Sequence, residues 1–172
     1  MTSNAEHADS RSPDPRARSA ARLGAVQALY QMDVAGTPLE DVVAEFKTYR
    51  LGSDIEGEEI VAGDAAHFED VVRGVLREQR DIDTHVNNSL ARGWALARVD
   101  STLRAILRAG AYELRRCKDV PVKVVINEYV DIAHAFFEGD EPGVVNAVLD
   151  RMAREIRSGE VEEKRGHGRR ES

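Results

Sequence analysis

Between Asp119 and Asp150 the chain reads DVPVKVVINEYVDIAHAFFEGDEPGVVNAVLD, a segment whose spacing leaves room for little except two packed helices joined by a turn. Pro121 stands where a helix starts, because the N–H that proline lacks is one that a first turn leaves unpaired. Val122, Val125, Ile126, Tyr129, Val130 and Ala133, followed by Phe136 or Phe137, recur at spacings of three and four, which lays them on one helical face. Glu138 to Gly143 is turn chemistry, and Pro142 disfavours helix at the residue before it, so the next helix is expected to follow. There Val145, Val148, Leu149, Met152 and Ile156 face one way and Asp150, Arg151, Arg154 and Glu155 the other. Asn127, Glu128 and Asn146 sit in or beside these stripes. A buried amide or carboxylate needs a partner, so the three either clamp the two helices together or reach a ligand.

Helical spacing continues through the rest of the chain and predicts an all-α protein of about seven helices in two packed subdomains. Met1 to Pro15 is polar and unpatterned and is expected to be a disordered lead. A first helix runs from about Arg16 to Met32, with Leu23, Val26, Leu29 and Tyr30 on its apolar side, and Gly36 stops it. Thr37, Pro38 and Glu40 form a start signal, with Thr37 as N-cap and Glu40 completing a capping box, for a helix bearing Leu39, Val42, Val43, Phe46 and Tyr49. Residues 50–63 are glycine-bearing and acidic, which predicts a mobile loop. Asp64 caps a third helix with Phe68, Val71, Val72, Val75 and Leu76; a fourth, with Ile82, Val86 and Leu90, follows a break near Asp81 and leads to Trp94. Asp100 caps a fifth, on which Leu103, Ile106, Leu107, Gly110 and Leu114 form one stripe and Arg104, Arg108 and Arg115 another. Those arginines either meet RNA or an acidic partner, or pair with neighbouring acids. One helical domain over 16–157 is expected, dividing near residue 78 into subdomains 16–78 and 79–157. The charged stretch 158–172 lacks an apolar repeat and is expected to be a disordered tail.

Catalysis has little support. The five histidines, His7, His67, His85, His134 and His167, include no pair at the three- or four-residue spacing that puts two imidazoles on one helix face, so no metal is expected. Nucleophile elbow, phosphate loop and dinucleotide turn are all missing, so neither an enzyme nor a cofactor is expected. The single cysteine, Cys117, reads as a small residue at a helix end. Asp81 and Asp83 read as complements to a helix start. A charged beginning and the lack of any long apolar run argue against secretion and membrane insertion, which makes the cytoplasm the expected location. Net charge is −7, yet Arg11 to Arg22 holds four arginines against Asp14 alone, while Asp33 to Asp70 holds eleven acids against Lys47 and Arg50. Phosphate binding follows local cations more than the total, so a basic entrance on an acidic body is compatible with nucleic acid.

Five segments taken together resemble the NusB family of bacterial transcription antitermination factors: AVQALY from Ala25, HFEDVVRGV from His67, LRAGAYEL from Leu107, VPVKVVINE from Val120 and VNAVLD from Val145. Each is modest alone, and their order and spacing from about Arg16 to Ile156 carry the resemblance. It implies two helical subdomains, no catalysis, and binding of the boxA element of nascent RNA. It also implies a partner, the small-subunit ribosomal protein NusE, with which the pair joins the RNA polymerase elongation complex and other Nus factors, notably on ribosomal RNA operons. In the family an arginine-rich segment leads into the first helix; Arg16, Arg18 and Arg22 occupy it here, followed by Gln27 and Tyr30. Arginines can hold phosphates and a tyrosine can stack on an unpaired base. The turn before the last helix, which the family also uses, maps to Asp140 and the region leading to Asn146. Arg104 and Arg108 are candidates for the NusE-facing surface. Ser19 and Ala20 replace further arginines, Val144 replaces an aromatic and Ala147 a glycine, so a weaker, less salt-dependent RNA contact is expected. The acidic loop is expected to point away from RNA. Two alternatives stand beside this: a helical adaptor that binds protein but not RNA, and a relative of the amino-terminal domain of ribosomal RNA cytosine methyltransferases, although no glycine-rich turn after a strand is present.

Overall fold

The computed structural model describes residues 14–50 and 64–160. Seven α-helices occupy them: α1 (Pro15–Ala35), α2 (Leu39–Glu45), α3 (Ala65–Arg77), α4 (Gln79–Ser89), α5 (Ser101–Arg116), α6 (Val122–Phe136) and α7 (Glu141–Ile156). A π-helical turn, Phe46–Arg50, continues α2, and no strand occurs among the described residues. None of the helices is long and apolar enough to cross a membrane.

Capping chemistry fixes most boundaries. Asp64 Oδ1 accepts the His67 N–H at 2.9 Å and Asp100 Oδ1 the Thr102 N–H at 2.7 Å, each satisfying a donor that a helix start leaves unpaired. Gly36 ends α1 at φ 66, a left-handed turn that costs glycine little. Four expected boundaries move. Asp14 caps α1 through the Arg16 N–H at 2.9 Å, so helix begins at Pro15, inside the expected lead; Met1 to Pro13 lie outside the described residues. Thr37 does not cap α2: its hydroxyl lies 3.5 Å from Gln31 Nε2, Pro38 takes the cap position, and Glu40 turns to Arg73 instead of closing a box. Pro121 likewise holds the cap position of α6, not its first turn. Finally, α7 starts at Glu141, because Pro142 falls within the first turn, where no N–H is needed.

The tail also starts later than expected. Residues 158–160 are helical, and Glu160 accepts the Val122 N–H at 2.8 Å, supplying the start of α6 with the cap that Pro121 cannot. Residues 161–172 and the acidic stretch 51–63 lie outside the described residues.

Helix α5 runs through the middle, packed against α1, α3, α4, α6 and α7. Its buried residues cover nearly every face, with Ala105, Ala109, Gly110 and Ala111 where neighbours come close and Leu103, Ile106, Leu107 and Leu114 filling the gaps. Two crossings depend on a missing side chain. A Cβ on Gly74 of α3 would lie 2.1 Å from the Tyr112 ring, and one on Gly110 would lie 2.8 Å from Leu149 Cδ1 of α7. Between α2 and α3, Phe46 stacks on Phe68 with ring centroids 5.6 Å apart.

Candidate nucleic-acid interface

A helix whose apolar face is buried can offer a ligand only what its other face leaves free. Arg16 is exposed and its side chain has no partner among the described residues. Arg18, two residues on and so on another face of α1, is 21% exposed and sets Nε and Nη2 3.3 and 3.2 Å from Asp64 Oδ2, the other carboxylate oxygen of the residue that caps α3. Ser19 donates its hydroxyl to Glu128 of α6 at 2.9 Å.

Arg22, expected to face RNA, is buried at 2% exposure. Its Nε donates to Glu113 Oε2 at 2.8 Å and its Nη2 to Glu113 Oε1 at 3.0 Å, a bidentate pair, with Nη1 3.8 Å from Glu128. Glu113 itself has no exposed surface; it also lies 3.0 Å from His67 Nε2 and accepts the Tyr129 hydroxyl. Burial alone would raise its pKa, but the bonds from His67 and Arg22 outweigh that and hold the carboxyl down to about 2. Burial, and then the Glu113 charge, push the Tyr129 hydroxyl well above the ordinary phenol range. One arginine of the expected triad is therefore a core residue linking α1 to α5 and α6.

The expected clamp between α6 and α7 is corrected in the same way. Asn127 and Asn146 are exposed, and only Glu128 is clamped, to α1 through Ser19 and Arg22. Asn146, in the second turn of α7, and Asp140, just before its start, remain open to solvent, and Asp140 makes no side-chain cap bond.

Further along α1, Gln27 and Tyr30 line a groove of about 500 Å³ with Val26, Val34 and Phe136. Tyr30, Val34 and Phe136 are 41%, 56% and 46% exposed, an uncommon grouping of bare apolar side chains. Tyr30 lies fourteen residues beyond Arg16, roughly 21 Å along the helix at 1.5 Å per residue. The cationic end of α1 and its apolar groove are thus two places, not one.

Arg104 and Arg108 also have partners. Arg104 Nε donates to Asp33 Oδ2 at 2.9 Å, and Arg108 Nε and Nη2 to the two oxygens of Asp83 at 2.8 and 2.9 Å. Both arginines of that stripe are thus paired with neighbouring acids of the chain itself.

A metal has one place to consider among the described residues: ligand atoms of His67, Glu113 and Cys117 lie within 4.8 Å of one another. The Arg22 guanidinium already occupies the carboxylate. Burial, and next the charge of Glu113, push the Cys117 thiol up to about 12, so neither residue offers a free anionic ligand.

Glu113 and Arg157 are the structural residues that the pattern hid. Arg157, 5% exposed, donates to the carbonyls of Glu113, Leu114, Cys117 and Val120, satisfying the open end of α5. A signal existed for Glu113, an acid seven residues after Ile106 on the apolar stripe. None existed for Arg157, which follows the last periodic position.

A model described as the NusB family matches residues 19–154. The transcription antitermination protein NusB of Bradyrhizobium sp. (strain BTAi1 / ATCC BAA-1182) is 59% identical over 144 residues, covering 84% of this chain and 85% of that protein. The protein of the same name from Allorhizobium ampelinum (strain ATCC BAA-846 / DSM 112012 / S4) is 58% identical over 140 residues, 81% of this chain and 88% of that one. Among solved structures, T. maritima NusB superposes with a TM-score of 0.69 at 28% identity, over 87% of this chain and 98% of that chain. A chain from a complex of the antitermination factors NusB and NusE with double-stranded RNA shares the fold at the same TM-score and 20% identity, over 83% and 99%.

Proposed function

The chain belongs to the NusB family, and we propose that it acts in transcription antitermination as a non-enzymatic adaptor, holding a boxA-type element of nascent RNA at the head of α1 and a NusE-like ribosomal protein elsewhere on its surface. The observation that carries the RNA part is Arg16: exposed, unpaired among the described residues, and in the first turn of the helix that also bears Arg18. Arg18 is shared with Asp64, and a phosphate arriving there would exchange one anion for another, at little cost in ordering. Asp140 and Asn146, open at the start of α7, complete the proposed RNA contact. The groove of Gln27, Tyr30 and Phe136 is apolar and uncharged, which suits a protein side chain better than a phosphate backbone, so Tyr30 is assigned there and the NusE-like partner with it. The assembly would then join the RNA polymerase elongation complex with other Nus factors, on ribosomal RNA operons above all.

One observation favours the second reading, an adaptor that binds protein alone: burial of Arg22 and pairing of Arg18 leave Arg16, of the expected three, as the cation without a partner among the described residues. The discriminating measurement is the affinity for a boxA RNA, with and without NusE, at two salt concentrations. Binding that weakens with salt and weakens further in the Arg16→Ala, Arg18→Ala protein supports the RNA reading. An RNA that binds under none of these conditions leaves the protein-only adaptor.

A further inference from the structure

The connection between α4 and α5 carries an exposed aromatic ring with an arginine on either side of it in the chain, both without an acid among the described residues. From Asn87 to Val99 the chain carries Arg92 and Arg98 and no acid, in a protein whose net charge is −7. The loop is pinned from below. Asn87 Oδ1 accepts the Leu96 N–H at 3.2 Å, Arg104 Nη1 donates to the Leu96 and Ala97 carbonyls at 3.0 and 3.4 Å, and the Leu96 side chain is buried. At its tip the Trp94 N–H closes onto the Ala91 carbonyl at 3.1 Å, and Gly93 takes φ 96, a conformation that favours glycine. This turn leaves Trp94 38% exposed, with no partner for its indole N–H among the described residues. Arg92 and Arg98 are both exposed and likewise without an acid there. Exposed Arg151 of α7 reaches the foot of the loop, its Nη1 3.4 Å from the Ser89 carbonyl.

A fixed ring flanked by unpaired guanidinium groups is what a single strand needs: a surface on which an unpaired base stacks, and charges for the phosphates on either side. Next to Trp94 in the chain, residues Ala95 to Ala97 form one wall of a cavity of about 610 Å³ that also includes Asn87 and Asn88 and the paired Asp33–Arg104 and Asp83–Arg108, roomy enough for a nucleobase and lined by amides that can meet its edge, while the paired acids leave the phosphates to Arg92 and Arg98. A duplex, whose bases stay stacked, could use the arginines but not the ring. We propose that the α4–α5 loop is a second contact for single-stranded RNA, with Trp94 stacking on a base and Arg92 and Arg98 on the neighbouring phosphates. It rests on the RNA reading above and adds a contact to the one proposed at the head of α1.

Trp94 is the only tryptophan beside four tyrosines, so emission excited at the red edge, where tyrosine does not absorb, reports on this loop alone. A single-stranded boxA RNA is titrated while tryptophan emission and the polarisation of labelled RNA are followed together. Expected are quenching that saturates with the polarisation signal and a roughly 5- to 150-fold loss of affinity in Trp94→Ala. Trp94→Phe, which keeps a stacking face, should retain most of the affinity; a merely structural role would show instead as a lowered Tm. Arg92→Gln with Arg98→Gln should flatten the dependence of log affinity on log salt by about 1.4, two phosphates' worth. RNA binding with unmoved emission and unchanged affinity in all these variants overturns the loop site while leaving the RNA reading intact. RNA that does not bind at all overturns both. Emission that responds to NusE but not to RNA gives the loop to a protein partner and overturns the proposal.

Discussion

Glu113 keeps its charge at the centre of the protein because three groups meet it there: Arg22 from α1, His67 from α3 and Tyr129 from α6. A carboxyl held down to about 2 stabilises the fold fully above its ordinary value near 4.5, and that stabilisation disappears as pH falls from about 5 towards 2. The depression is worth on the order of 3 kcal/mol. Urea unfolding of wild type and Glu113→Gln at pH 7, 4 and 3 should therefore converge at the acid end. At pH 7 the variant leaves a buried guanidinium short of its counter-charge and should lose about 3–5 kcal/mol; a deficit that stays constant with pH would contradict the linkage. The same residue separates two kinds of arginine. Arg22→Ala should lower Tm by several degrees, whereas Arg16→Ala should leave Tm unchanged and lower RNA affinity, which differential scanning and a binding isotherm would resolve.

At the scale of elements, helix spacing and capping residues carried most of the information. Asp64 and Asp100 marked their helices correctly because a capping carboxylate acts on N–H groups two or three residues away, within reach of a local pattern. Thr37 and Pro121 misled for the complementary reason: whether a side chain caps or turns elsewhere depends on what α1 or residue Glu160 brings to it. How close two helices may come is equally non-local. Gly74→Ala would drive a methyl group into the Tyr112 ring, which cannot swing away while its hydroxyl donates to Asp70 at 2.8 Å, so a loss of about 1–3 kcal/mol is expected despite the better helix propensity of alanine. A more stable Gly74→Ala protein in chemical denaturation would refute this. Arg157→Met keeps the stem of the side chain but orphans four carbonyls around the end of α5; a cost of several kcal/mol is expected, visible as early exchange of the last amides of that helix.

For the whole molecule, the RNA contact proposed at the first turn of α1 and the protein contact proposed in the Tyr30 groove lie towards opposite ends of that helix. Two weak contacts carried by one complex raise each other's effective concentration, so RNA affinity should rise at least tenfold when NusE is added, and Tyr30→Ala should abolish the gain without weakening RNA binding by the protein alone. Isotherms with and without NusE test both statements. By itself the sequence determined that the described residues are helical, roughly where seven helices run and that the chain belongs to the NusB family, because periodicity and segment order are properties of the chain read in one dimension. Which arginines remain free was decided only by tertiary structure. Arg16, Arg18 and Arg22 are alike in the sequence, and what separates them is the arrival of Asp64 and Glu113 from positions 46 and 91 residues away, since a charge is spent or kept according to what the fold sets beside it.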